Sequence, residues 1–239
     1  MNVPSWSQIS ERIVPVPASQ AGQVEPEHLL ISAGIALALV AVGPLWRIVR
    51  LAVTLVHELG HALVGLATGR TFTGFVLRAD MSGHAVTRGK PRGAALVATT
   101  WAGYPAPAIL GAVLVWTATR GLGPPVLTAV LVILLISWVR VRSVLTALVM
   151  LAVSAGALWL WWAGSVVLQM QVLVATGLLL LIGAWRHLGS VWRGRDRGSD
   201  PAVLARLTPL PRVVWLLTFA LVLAAATALV VTEAQRLLL

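Results

Sequence analysis

Long apolar runs separated by short polar breaks dominate the chain. They cover residues 29–46, 51–69, 94–118, 126–139, 144–163, 166–185 and 213–231. Most approach the ~20 residues that an α-helix needs to cross a hydrocarbon core of ~30 Å; the fourth is short and extends back toward Leu122. The pattern predicts an all-α polytopic membrane protein of about seven transmembrane helices. Residues 1–28, with Pro4, Pro15, Pro17 and Pro26, read as a polar tail on the surface. They lack the basic stretch followed at once by an apolar core that marks a cleavable signal peptide. Residues 29–231 form one predicted domain, and 232–239 a short C-terminal tail.

Two polar segments stand out. Residues 70–93 alternate loosely, break at Ala79-Asp80-Met81-Ser82-Gly83 and resume with His84-Ala85-Val86-Thr87, which predicts a small β-hairpin after the second helix. Residues 186–212 carry Arg193, Arg195, Arg197, Arg206 and Arg212 together with Asp196 and Asp200.

Composition narrows the class further. Hydrophobic residues make up 58% and charged residues 11%, with a mean hydropathy of +0.89, against about 25% charged in soluble domains. A soluble globule, a disordered chain and a disulfide-stapled module are all excluded. The net charge of +10 comes from 17 Arg and one Lys, most of them flanking apolar runs. That is membrane anchoring rather than nucleic-acid binding. The positive-inside bias predicts a multi-pass cell-membrane protein with its N-terminus and both long polar segments in the cytoplasm. Because the chain has no cysteine, any metal site must be built from His, Asp or Glu.

One motif carries chemistry. The second run contains His57-Glu58-Leu59-Gly60-His61, the HExxH pattern of zinc metalloproteases. With five His and five Glu in 239 residues, chance would supply roughly 0.002 such matches. At ~100° per residue His57, Glu58 and His61 share one side of a helix. Two imidazoles one turn apart can hold Zn²⁺, with Glu58 placed to take a proton from zinc-bound water. An ionisable residue deep in a membrane helix costs about 2.5–3.5 kcal/mol, so three polar groups there need a use. The competing reading pairs Glu58 with an Arg and leaves the histidines to interhelical hydrogen bonds.

A HELGH helix inside a polytopic membrane protein, followed by a β-like segment, resembles the site-2 protease family of intramembrane zinc metalloproteases. More narrowly, the chain is similar to a divergent bacterial branch with short, apolar, Arg-rich chains. The resemblance spans most of residues 50–212. It implies one Zn²⁺ per chain held by His57 and His61, Glu58 as general base, and a membrane-spanning protein segment as substrate. A third ligand is needed that leaves one position for water, and the family takes it from a later aspartate. That implies Asp200, in Gly198-Ser199-Asp200-Pro201-Ala202, although Asp before Pro also reads as a helix N-cap. Asp196, between two arginines, reads as a solvated counter-ion, and Asp80 as a turn residue.

The chain departs from the family in lacking its asparagines, since Asn2 is the only one. The matching helix reads Ala102-Gly103-Tyr104-Pro105-Ala106-Pro107-Ala108. Tyr104 sits at a proline-broken point, either donating to substrate or bonded to a freed backbone carbonyl. His84 reads as an exposed strand residue, His187 as interfacial, and Trp159, Trp161 and Trp162 as an aromatic belt. Gly60, Ala62 and Gly65 leave room for close helix approach. Two other functions compete with the protease: a non-catalytic membrane scaffold with a vestigial HExxH, and a membrane zinc peptidase acting on soluble or lipidated tails.

Overall fold

A computed structural model describes residues 6–17, 25–78 and 83–238; the expected turn residue Asp80 lies outside them. The chain is mainly helical: α1 Trp6–Ser10, α2 Pro26–Ala41, α3 Gly43–Ala67, α4 Ala94–Ala102, α5 Pro105–Ala118, α6 Gly123–Trp138, α7 Val144–Ala163, α8 Val166–Arg193, α9 Asp200–Leu207 and α10 Arg212–Leu238. Strands β1 Thr71–Leu77 and β2 Gly83–Arg88 pair antiparallel between α3 and α4.

The count of seven spans is not confirmed. Among the described residues four helices, α3, α7, α8 and α10, are long and apolar enough to cross a membrane. The α4–α5 pair makes a fifth if its two parts count as one. Helices α2 and α6 have 16 residues each. At 1.5 Å per residue they reach about 24 Å. The predicted single helix 94–118 bends by 58° between α4 and α5. Pro105 has no N–H for the preceding turn, and its ring clashes with the carbonyl four residues back.

Boundaries also move. The first break falls at Val42, so α3 starts at Gly43 with Pro44 in its first turn, where the missing N–H is harmless. Arg47 and Arg50 therefore lie inside α3 rather than in a loop. Helix α8 runs on to Arg193 and α10 to Leu238, so residues 232–238 of the expected C-terminal tail continue the last helix. At its start α2 is capped by His28, whose Nδ1 accepts from the Glu25 backbone N–H at 3.2 Å.

Helix α8 is the central post, packed against α2, α5 and α10. Its tightest contact is with α5, where Gly111 and Gly177 meet. A Cβ on Gly111 would sit 2.5 Å from the Gly177 carbonyl oxygen. This small-residue contact lets the backbones approach as membrane helices do. Gly60 does the same for α3, where a Cβ would lie 2.5 Å from Ala106 Cβ and 2.9 Å from the Ala102 carbonyl.

The hairpin has two unlike edges. The outer edge of β1 is covered by the α6–α7 connection: Phe75 N–H donates to Arg140 O (3.1 Å), and Arg142 donates to Thr73 O (3.1 Å). Leu77 N–H donates to Thr146 Oγ1 on α7 (2.8 Å). Gly74 makes this possible: it bulges the strand at φ +150°, and a Cβ there would lie 2.6 Å from Arg142 Cγ. The outer side of β2 borders the cleft described below.

The N-terminal segment is pinned. Arg12 donates to the Trp161 carbonyl (2.6 Å), the Trp161 indole donates to Arg12 O (2.9 Å), and Val16 N–H donates to Gly121 O (2.9 Å). Trp161 lies at the C-terminal end of α7, whereas the hairpin is tied to its N-terminal end. Twenty residues, about 30 Å, separate the two ends. The described N-terminal segment is therefore pinned near the opposite end of α7 from the hairpin.

The α5–α8 contact makes a paired prediction. Gly111→Ala forces a methyl against backbone and costs about 1–3 kcal/mol. Gly156→Ala, which has nothing within 4 Å of its added carbon, leaves stability unchanged or slightly higher. Thermal unfolding in detergent reads both.

Candidate metal centre

Helix α3 presents Arg50, Thr54, His57, Glu58 and His61 to one cleft of about 1110 Å³. The spacing follows from 3.6 residues per turn. His57 and His61 lie one turn apart, their rings edge-on and their Nε2 atoms 3.1 Å from each other. His61 Nδ1 lies 2.7 Å from the Thr99 carbonyl on α4. A carbonyl only accepts, so Nδ1 carries the proton and Nε2 of the neutral ring is left as a lone pair aimed into the cleft.

Asp200 arrives from the far end of the sequence. Its Oδ2 lies 3.2 Å from His57 Nε2 and 3.3 Å from His61 Nε2. It is the first residue of α9; the residue at the N-cap is Ser199. The N-cap reading of Asp200 therefore does not hold, and its side chain turns to the histidines instead. Buried Pro201 and Leu204 seat α9, and Arg212 closes the preceding loop through the carbonyls of Val191 and Gly194. Asp196 is exposed and accepts from the Gly198 N–H at 2.8 Å, closing its own turn.

The donor set fits a divalent metal. Asp200 Oδ2 is buried without a hydrogen-bond partner and faces two imidazole nitrogens. The three donor atoms form a triangle with edges of 3.1–3.3 Å. A tetrahedral ion with bonds of about 2.0–2.1 Å spaces its ligands by about 3.3 Å. Burial alone would raise the Asp200 carboxyl, but His61 and His57 outweigh it and hold the group below the usual carboxylate range. Asp200 is thus an anion at neutral pH, as a ligand must be.

Glycines clear the space around this group. A Cβ on Gly103 would land on His61 Nε2 and lie 2.7 Å from His57 Cε1. A Cβ on Gly83 would lie 2.5 Å from Glu58 Oε1, so the first residue of β2 rests on the Glu58 carboxylate. Glu58 is only 4% exposed. Tyr104 stands edge-on to His57 with ring centroids 5.0 Å apart and stacks on Phe219, also at 5.0 Å. Among the described residues its hydroxyl makes no bond to a backbone carbonyl.

A model of the Peptidase M50B-like family matches residues 30–230. The chain belongs to that family. No curated protein and no solved structure matches it. The family is one of zinc metalloproteases, and the apolar helices make this M50B-like protease a membrane protein.

Within the M50B-like chain the four residues singled out from sequence converge. His57, His61 and Asp200 form the one group of potential metal donors among the described residues, with donor atoms all within 4.8 Å, and Glu58 lines the same cleft. His84 is exposed on β2 and borders the cleft without joining the group. Four cleft residues carried no signal of their own: the Thr99 carbonyl, Gly83, Arg50 and His187. Gly103 was legible only as part of a proline-broken helix. Its proximity to both imidazoles needs the bend.

The arrangement predicts about one zinc per purified wild-type chain by elemental analysis. Asp200→Ala loses one of three ligands and most of that zinc. Gly103→Ala loses it too, although residue 103 donates nothing, because its methyl occupies the space beside the imidazoles.

Proposed function

We propose that this protein is an intramembrane zinc endopeptidase that hydrolyses a peptide bond in or near a membrane-spanning segment of a protein substrate. The observation that carries the reading is the meeting of Asp200 with His57 and His61, from segments about 140 residues apart in sequence. An intact donor set supports an enzyme over a scaffold with a vestigial motif.

His57, His61 and Asp200 would hold the metal, which when bound polarises the scissile carbonyl and makes water a nucleophile at neutral pH. Glu58 accepts the proton of the attacking water on its carboxylate and returns it to the departing amine nitrogen. Gly83 packed on Glu58 limits the positions that carboxylate can take. The outer side of β2 is suited to hold an unwound substrate strand by adding a strand to the hairpin; the covered β1 edge is not. The hydroxyl of Tyr104, whose ring packs edge-on against His57, is a candidate donor to the scissile carbonyl in a chain without the family's asparagines.

Basic residues support a cytoplasmic site. The end of the molecule that holds the hairpin and α9 carries Arg70, Arg88, Lys90, Arg92, Arg140, Arg142, Arg193, Arg195, Arg197, Arg206 and Arg212. The end where the N-terminal segment is pinned carries Arg12, Arg120 and Arg236. The positive-inside rule puts the first end in the cytoplasm and the N-terminus outside.

Glu58→Gln is the decisive variant. It is expected to keep zinc and fold while losing about 10²–10⁴-fold in cleavage of a reconstituted membrane substrate. Full activity in this variant overturns the mechanism. Tyr104→Phe is expected to lower kcat with little change in KM, since its hydrogen bond forms as charge develops on the carbonyl.

A further inference from the structure

The cleft extends beyond the metal trio and is also lined by two side chains that each keep a buried nitrogen without a hydrogen-bond partner among the described residues. Arg50 precedes His57 by seven residues on α3, about 10 Å along the helix axis. Its Nε is buried and has no hydrogen-bond partner. His187 comes from α8, and its Nε2 is likewise buried and unpartnered. Both line the cleft that holds Glu58. His187 lies within electrostatic range of both Arg50 and His57, and its ring is set edge-on against Trp46 at 6.4 Å.

The neighbouring arginine behaves differently. Arg186 is committed: it covers the Trp46 ring at 4.3 Å and donates to the Val40 carbonyl at 2.7 Å. Arg50 has no such partner, and no carboxylate among the described residues lies within ion-pair distance of it. The acidic groups in the cleft are otherwise occupied: Asp200 faces the imidazoles, Glu58 lies two turns along α3 against Gly83, and Asp196 closes its own turn. A guanidinium nitrogen left buried and without a partner in an apolar helix is expensive, and such residues mark a ligand path.

We propose that Arg50 and His187 form a subsite for a carboxylate on the polypeptide substrate, an Asp or Glu side chain, and so set which bond is cut. This rests on the endopeptidase reading above. The Arg50 Nε–H and an Nε2–H on His187 supply two donors, as a carboxylate accepts. An extended peptide advances about 3.3 Å per residue, so the 10 Å offset places the acidic residue about three positions from the scissile bond. Trp185, partly exposed on the same cleft, gives the flanking apolar residues a surface.

The test uses full-length zinc-loaded protein in phosphatidylcholine vesicles. The probes are Ala/Leu membrane-spanning peptides carrying a single Asp, or Asn at the same place, scanned along the segment. Cleavage sites and rates are read by mass spectrometry, and binding to Glu58→Gln protein by fluorescence anisotropy. The expected result is a cut about three residues from the Asp and at least a tenfold preference for Asp over Asn in rate. Arg50→Gln and His187→Gln each bring the Asp:Asn ratio to within about twofold, and Arg50→Lys restores part of it. A merely structural role would lower both series together and leave the ratio unmoved.

Cleavage without an Asp preference overturns the proposal, as does a preference that survives both substitutions. If no peptide is cut but Arg50-dependent binding of the Asp series persists, the subsite stands and the endopeptidase reading falls. If neither cleavage nor such binding is seen, the subsite falls. Added phosphatidylglycerol tests the other source of an anion. Binding that follows this lipid alone, with no Asp preference at any lipid composition, overturns the peptide assignment.

Discussion

Three electron-rich atoms are held within 3.3 Å of one another in an apolar interior, and the rest of the architecture is arranged around that crowding. Two imidazole lone pairs and a carboxylate repel unless a cation or proton lies between them. The protein holds them together by fixing each from behind. Thr99 orients His61, Tyr104 borders His57, and α9 with its arginine-stitched loop delivers Asp200. The bend between α4 and α5 serves the same end, because it brings Gly103 up to the imidazoles while α5 stays locked on α8 through Gly111 and Gly177.

Much of this was readable from sequence, for reasons that differ by element. The HExxH face follows from helical period alone, and so did the grouping of His57, Glu58 and His61. The hairpin showed itself through alternation and a turn-forming break. Asp200 was different. Spacing within α9 could not separate a helix cap from a ligand, and only the likeness to a protease family favoured the latter. The deciding contact is tertiary and leaves no local mark.

The misreadings share a cause. Hydropathy records where apolar residues lie, not where the backbone breaks. It merged α4 with α5 across Pro105, began the HExxH helix at residue 51 when Pro44 starts it earlier, and ended α8 and α10 where charges appear although both helices continue. Helix α10 carries Glu233 with it, a side chain 7% exposed and bonded to Arg120 at 2.6 and 2.9 Å. Local charge density could not reveal that a carboxylate near the terminus is an interior residue.

Those short helices have a consequence for the lipid. Both α2 and α6 present large apolar side chains outward, among them Leu30, Ile31 and Ile35 on one and Val132, Leu135 and Ile136 on the other. Their lengths fall about 6 Å below the thickness of an ordinary bilayer core. Acyl chains beside them must compress to avoid leaving those surfaces wet, at a fraction of a kcal/mol for each ångström of mismatch. Wherever these helices face lipid, the hydrocarbon layer beside them is drawn thinner than elsewhere.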